Sequence, residues 1–371
     1  MTGFSMLLLA IFAGRIWSIG LPIWDMLGRS FGSAVKRAVA LLSVVWMTGV
    51  LAAQIHGGTA ILMLIGLPHY AAIAFILTLI FGASRINLGF AARIFSLCLL
   101  GSSMVLVFAL FHFGGASIYI NAIPRFVSDM HFISPQEFFV TVVGVGFLVV
   151  TGADYQQFVI AARSRTDAVV GCGIAGVFLL LAGALPASTV IAARDAGILT
   201  TVADDKQIIP FLLSHISARI SPYWGIALLL GLLSAALGSG AAIVRAMTSA
   251  LASSISGSGE IRRFPLSAAI ILLGGIVAAR GQGIVDTMVE LNIVYIASVA
   301  PIFVFLLLGV AVSASGAQKA IAAGFATSVF LYVAKWLGLV AGSVELFSLC
   351  IGIAVSVLVL EICRRMAAPA F

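Results

Sequence analysis

Residues 144–165 read GVGFLVVTGADYQQFVIAARSR. An apolar run proceeds through Val149 and Val150, is cut by Thr151-Gly152-Ala153-Asp154, and resumes toward Ile160. Gly152 can take backbone conformations that end a helix. A break at membrane depth is tolerated only where backbone is buried in protein or lines a cavity. Discontinuous helices of that kind point to the binding site of a transporter. The same spacing also suits a helix that ends at Gly152, with Asp154 capping the next one. Which reading applies turns on whether the run lies in lipid, and the rest of the sequence answers that.

Only 9% of the 371 residues are charged, 62% are hydrophobic, and the mean hydropathy is +1.21. Soluble domains carry about 25% charged residues, because a surface in water needs them. The solvent of this chain is therefore lipid. In lipid only helices or closed barrels satisfy the backbone, and the continuous apolar runs, without period-two alternation, select helices. A span needs about 20 residues. The sequence accordingly predicts an all-α polytopic bundle, residues 1–371 forming a single membrane-embedded domain. Its eleven spans fall near 3–24, 38–66, 69–84, 93–113, 136–152, 168–190, 222–256, 264–279, 291–313, 317–339 and 344–363. Met1 to Gly14 lacks the basic stretch of a signal peptide and reads as part of the first helix, which Arg15 and Pro22 interrupt.

Charge sets the direction. With odd-numbered spans running inward, the inner loops hold Arg29, Lys36, Arg37, Arg85, Arg93, Arg163, Arg165, Arg245, Arg262, Arg263, Lys319, Arg364 and Arg365, thirteen of the twenty basic residues. Cytoplasmic loops are the basic ones, so the amino terminus is outside and the carboxyl terminus inside, as in a bacterial inner membrane. The net charge of +7 follows from that rule and implies no nucleic acid. Residues 114–135 read as an extracellular loop. Residues 191–221 contain an amphipathic run in which Ile208, Ile209, Leu212, Leu213 and Ile216 recur at helical spacing. That run predicts a short helix over the outer mouth.

Polar groups inside spans are functional candidates by default. Gln54 and His56 fall in the second span, and Asn292, Tyr295 and Ser298 share a face of the ninth. Each also suits a plain interhelical hydrogen bond. Residues 231–255, GLLSAALGSGAAIVRAMTSALASSI, are dense in Ala, Gly and Ser, which lets backbones approach closely. Ala236, Ser239 and Gly240 stand at i, i+3 and i+4. A hydroxyl and a carbonyl there suit a hard cation, and small-residue packing suits the same pattern.

Other chemistries leave no trace. Cys98, Cys172, Cys350 and Cys363 show no CxxC spacing. The five histidines are scattered without an HExxH or HxxxxD pattern, so no acid, base and nucleophile converge and no enzyme is expected. No GxxxxGK phosphate loop is present, which argues against direct ATP-driven pumping. No cofactor is expected.

Two stretches, TGADYQQFVIAARSRTDAVVGCGIAGVF and ADDKQIIPFLLSHISARISPYWGIALLLGLLSAALGSGAAI, together resemble the solute:sodium symporter family over about a third of the chain. The resemblance implies a five-plus-five inverted repeat with substrate and sodium bound midway across the membrane. It places Ala236 and Ser239 at the family's sodium-liganding carbonyl and first hydroxyl, with Gly240 where many members carry a second hydroxyl. Gly152, Asp154 and Gln156 fall in the central site, joined by Gln54, His56 and Asn292. Counting helices back from these motifs makes 3–24 the second core helix, so the sequence lacks a counterpart of the first. The expected activity is symport of a small organic solute coupled to Na+ or H+. The alternative is a non-transporting membrane sensor or assembly subunit on the same fold.

Overall fold

The computed structural model describes residues 2–86, 88–112, 114–129, 131, 134–201, 207–220, 222–255, 263–279, 284–340 and 344–367. Among them lie fifteen α-helices and no strand. In chain order they are α1 (Thr2–Ile19), α2 (Ile23–Phe31), α3 (Ser33–Leu64), α4 (His69–Ser84), α5 (Leu88–His112), α6 (Ala116–Asp129), α7 (Pro135–Thr151), α8 (Ala153–Ile160), α9 (Arg165–Asp195), α10 (Ile208–Ile220), α11 (Pro222–Ile255), α12 (Arg263–Ala279), α13 (Ile284–Leu307), α14 (Ala314–Trp336) and α15 (Val344–Ala367).

Among the described residues six helices are long and apolar enough to cross a membrane: α1, α3, α9, α11, α14 and α15. A seventh is α7 with α8, if that bent pair is one span. The apolar stretches at 69–84, 96–108, 263–279 and 291–307 are shorter. Large apolar side chains stand out from the bundle, among them Ile11, Leu97, Met104, Ile174 and Phe330. A water-soluble surface does not carry so many.

Two expectations are corrected. The first helix was placed at 3–24, but α1 stops at Ile19, because Gly20 takes a positive φ of 65°. Pro22, which lacks an N–H and disfavours helix before it, then starts α2, whose Asp25 pairs with Lys36 at 2.6 Å. Arg15, flagged inside the first span, lies about one turn from its end and is exposed, where a long side chain can reach the interface. Residues 114–135 are not simply a loop. They hold α6, docked along α9 through Tyr119 Oη donating to Leu181 O at 2.9 Å and an Arg125–Asp195 pair at 2.7 Å. The expected short helix is present as α10, and Leu212 packs there with Ala193. Asp204, Asp205 and Lys206 lie outside the described residues.

The packing has an internal correspondence. α3 packs on α2, α4, α11, α12 and α13, while α11 packs on α10, α12, α3, α4 and α5. Exchanging α1 with α9, α2 with α10, α3 with α11, α4 with α12 and α5 with α13 carries one set onto the other. The pairs α1–α9 and α4–α12 map onto themselves. α3 and α11 are also the two most buried of the six long apolar helices.

Small residues make the crossings close. α1 meets α9 at Gly3 and Gly176, where a Cβ on either glycine would lie within 3.0 Å of the other's carbonyl oxygen. Gly324 of α14 sits against the backbone of Ala297 in α13. Ser328 and Ser348 exchange hydroxyl-to-carbonyl bonds of 3.3 and 3.1 Å between α14 and α15, the polar contact that stands in for hydrophobic force in lipid.

Gly324→Ala forces a methyl onto rigid backbone. We expect it to destabilise the protein by about 1–3 kcal/mol, read as a lowered thermal midpoint in detergent. Gly57→Ala, whose added methyl meets nothing within 4 Å, should leave the midpoint unchanged.

Candidate functional site

α7 begins with a capping box: Ser134 Oγ accepts from Glu137 N at 3.1 Å and Glu137 Oε2 from Ser134 N at 3.3 Å. The helix runs to Thr151, and after Gly152 the chain turns by 42° into α8. Gly152 has φ −68° and ψ 123°, an extended conformation that any residue can adopt. The glycine is required by space instead. A Cβ there would stand 2.5 Å from Leu148 O and 2.7 Å from Asp154 Oδ1.

An extended residue takes backbone donors away from the carbonyls one turn earlier. Two of the freed carbonyls are met by side chains. Gln156 Nε2 donates to Val150 O at 2.9 Å, and Tyr295 Oη, from α13, donates to Thr151 O at 2.9 Å. Gly152 N itself still reaches Leu148 O at 2.6 Å, and Gly152 O accepts from Gln156 N at 3.0 Å. Tyr295 is fixed by its packing on Trp46 of α3, ring centroids 5.5 Å apart. The break is thus buried between α3, α8 and α13, not frayed.

Three acceptor oxygens nearby stay unmet. Asp154 Oδ1, Gln156 Oε1 and Asn292 Oδ1 are buried and, among the described residues, have no hydrogen-bond partner. Asp154 and Gln156 belong to the break itself. Asn292 is three residues from Tyr295, about 4.5 Å along the helix. Gly152, which has no side chain to cap with, is the N-cap of α8, and Asp154 lies in the first turn with its carboxylate on that turn's own backbone N–H groups. Beside the break a groove of about 330 Å3 runs between α2, α8 and α11, lined by Trp24, Ala153, Gln157, Arg245, Ala246 and Ser249 among others. Gln157 Nε2 donates to Asp154 O at 3.0 Å, which holds its side chain back on its own helix.

The other candidates separate. Gln54 and His56, two residues apart, point about 160° apart at 100° per residue, so one site does not take both. Gln54, half-buried, shares a face with Ser43 but lies about 12 Å along α3 from Trp46. His56 is buried on the far side. Of the trio on α13, Tyr295 serves the break, and Ser298 Oγ donates back to Val294 O at 2.6 Å within its own helix.

On α11, Ala236 is half-buried, Ser239 is exposed, and Gly240 is buried against Ile80 of α4. Ser239 lies about two turns along the stripe of α11 that carries Ala246 into the groove. One hydroxyl and one carbonyl from a single helix are well short of the six or more oxygens a hard cation such as calcium gathers. A side chain at position 240 would meet Ile80, so no second hydroxyl joins them. These residues fit a sodium ion only in part.

Sequence reading missed the repair of the break by Gln156 and Tyr295. The sequence marks Tyr295 as a polar group in a span and Gln156 as a central-site candidate after the break, but which carbonyl each would meet is not written in spacing. Trp24 and Trp46 were also missed, since a tryptophan in an apolar run gives no local sign of lining a groove or clamping a tyrosine. Compared with models of known protein families the chain matches none, and no curated protein is similar enough to count as a relative.

Tyr295→Phe removes the donor to Thr151 O and leaves a buried carbonyl unmet. We expect a loss of about 1–3 kcal/mol, with faster amide exchange around residues 148–156 measured by mass spectrometry. Ser298→Ala breaks only a bond inside its own helix and should cost well under half as much.

Proposed function

We propose that this chain is a secondary active transporter of the solute:sodium symporter type, moving a small organic solute across the cell membrane coupled to Na+ or H+. The observation that carries the reading is the break at Gly152. Its freed carbonyls are repaired by side chains, while the acceptor oxygens of Asp154, Gln156 and Asn292 are left for something else to satisfy. Buried polar atoms without partners are costly, and a ligand that meets them recovers that cost. Three acceptors, one of them a carboxylate oxygen, suit a solute that donates through N–H or O–H groups.

The remaining features fit that reading. If α7 and α8 are taken as one span and the shorter helices as full crossings, the eleven expected spans would put Arg85, Arg245 and Arg263 on the side expected to be cytoplasmic. The exchange of packing partners between α1–α5 and α9–α13 supports a core of two inverted repeats. With an outside amino terminus, the groove beside α8 opens toward the inner face and serves as the inward route. Coupling is the least supported part. Ser239 and Ala236 offer sodium two oxygens, whereas Asp154, a carboxylate at membrane depth, is the group through which proton coupling would run.

One observation favours the second reading, a non-transporting sensor or assembly subunit on the same fold: Gly240 is filled by Ile80 where a coupling site would be expected. Transport assays separate the two. In proteoliposomes, uptake from a panel of amines, amino acids, polyols and nucleobases should depend on an imposed Na+ or pH gradient. Asp154→Asn and Asn292→Leu should each lower it about tenfold or more, the equivalent of roughly 1.4 kcal/mol, at unchanged protein content. Thermal stabilisation by a solute that is never accumulated would assign the chain to the second class instead.

A further inference from the structure

We infer that a pocket between α4, α11 and α12 is a binding site for a phosphate-bearing anion. The cavity, about 330 Å3, is lined by Ser84, Arg85, Arg245, Thr248, Ser249, Arg263 and Ser267. It receives three guanidinium groups, and no carboxylate is among its lining residues. The ion pairs among the described residues are made elsewhere, by Lys36, Arg125, Lys335, Arg364 and Arg365.

Arg245 is the central group. Its Nη1 donates to Ile86 O at 2.6 Å, with Ser84 O and Ala83 O farther at 3.4 and 3.5 Å, so half of the guanidinium caps the carboxyl end of α4. The other half, Nε and Nη2, is buried and has no acceptor among the described residues. A cation with unmet donors in a low-dielectric region is costly, and the cost falls when an anion completes it. Nε and Nη2 form the fork that takes two oxygens of a phosphate at once.

The two flanking arginines are arranged to share that anion. Arg85 lies over the ring of Phe264, 5.6 Å from its centroid, and Phe264 meets Phe81 edge-on at 5.2 Å. That stack sets the height of Arg85 without consuming its donors. Arg263 is the first residue of α12, a seventeen-residue helix whose amino end adds a partial positive charge. The hydroxyls do a different job. Thr248 and Ser267 stand 3.0 Å apart, so one hydroxyl donates across to the other, which keeps its own bond to a carbonyl of its own helix (2.7 Å for Thr248, 2.9 Å for Ser267). They fasten α11 to α12 and so hold the pocket wall.

Two sources present this chemistry: the headgroup of an anionic phospholipid and free phosphate. The lipid source rests on the proposed orientation, which puts the pocket at the cytoplasmic headgroup level, where basic pockets between helices hold anionic lipids. Anion binding itself is independent of transport and of the coupling ion, so its failure leaves the transport reading intact.

The experiment uses the full chain, delipidated in neutral detergent, titrated with inorganic phosphate at constant ionic strength and with dioleoylphosphatidylglycerol against dioleoylphosphatidylcholine. Arg245 supports α4, so the diagnostic variant is Arg85→Gln with Arg263→Gln, and Arg364→Gln with Arg365→Gln is the control for bulk charge. We expect the thermal midpoint to rise with phosphatidylglycerol, phosphate or both, but not with phosphatidylcholine. Half-saturation should be about tenfold weaker in the pocket variant, as expected for lost charge-assisted bonds, and unchanged in the control. A response to phosphatidylglycerol alone assigns the site to lipid, and a response to phosphate assigns it to a soluble anion. No response to either anion, an undiminished response in the pocket variant, or an equal loss in the control would overturn the proposal.

Discussion

A backbone carbonyl without a donor is among the most expensive things a membrane protein can bury, at several kcal/mol when no water can reach it. The turn at Gly152 creates that problem for Val150 and Thr151, and the surrounding structure is arranged around the solution. Gln156 folds back across the turn, and Tyr295 reaches in from α13, held by Trp46 of α3. Three helices are therefore fixed relative to one another by the need to pair two oxygens. The unmet oxygens of Asp154, Gln156 and Asn292 gain their meaning from this. Two buried carbonyls have been repaired, and these side-chain oxygens have not, among the described residues.

Between helices, the force that assembles water-soluble cores is missing, because lipid is as apolar as leucine. Close backbone approach takes its place. Gly3 against Gly176, and Gly324 against Ala297, bring helix axes near enough for many weak contacts, and the reciprocal Ser328–Ser348 bonds add direction. α3 and α11 run through the middle, each surrounded by the counterpart of the other's neighbours. The groove beside α8 lies on the flank of α11 that faces α2.

Charge is sorted by position. Where a cation lies near a carboxylate it pairs at the rim, as Lys335 does with Glu345 at 2.7 Å or Arg364 with Glu361 at 2.8 Å. Where Arg245 turns inward it caps a helix end and leaves donors over. The same residue is a positive-inside marker in sequence and the floor of a cavity in three dimensions, and only the second description carries chemistry.

The amino-acid sequence by itself determined the helical class, the placing of most helices, the short amphipathic helix α10 and the break at Gly152. These follow from composition and from periodicity, which act over neighbouring residues and leave a local record. It misplaced the end of the first helix, where Gly20 and Pro22 act together, and it missed α6, whose docking on α9 depends on Leu181 and Asp195 far along the chain. Only the tertiary structure decided that Gly152 is needed for space rather than for a left-handed φ, that Gln54 and His56 do not share a site, and that Gly240 faces Ile80. It alone also decided that Gln156 and Tyr295 repair the break while Asn292 remains unmet. The reason is that a polar group's role is set by which partner reaches it first: Gln156 folds back on Val150 six residues away, but Tyr295 comes to Thr151 from 144 residues along the chain.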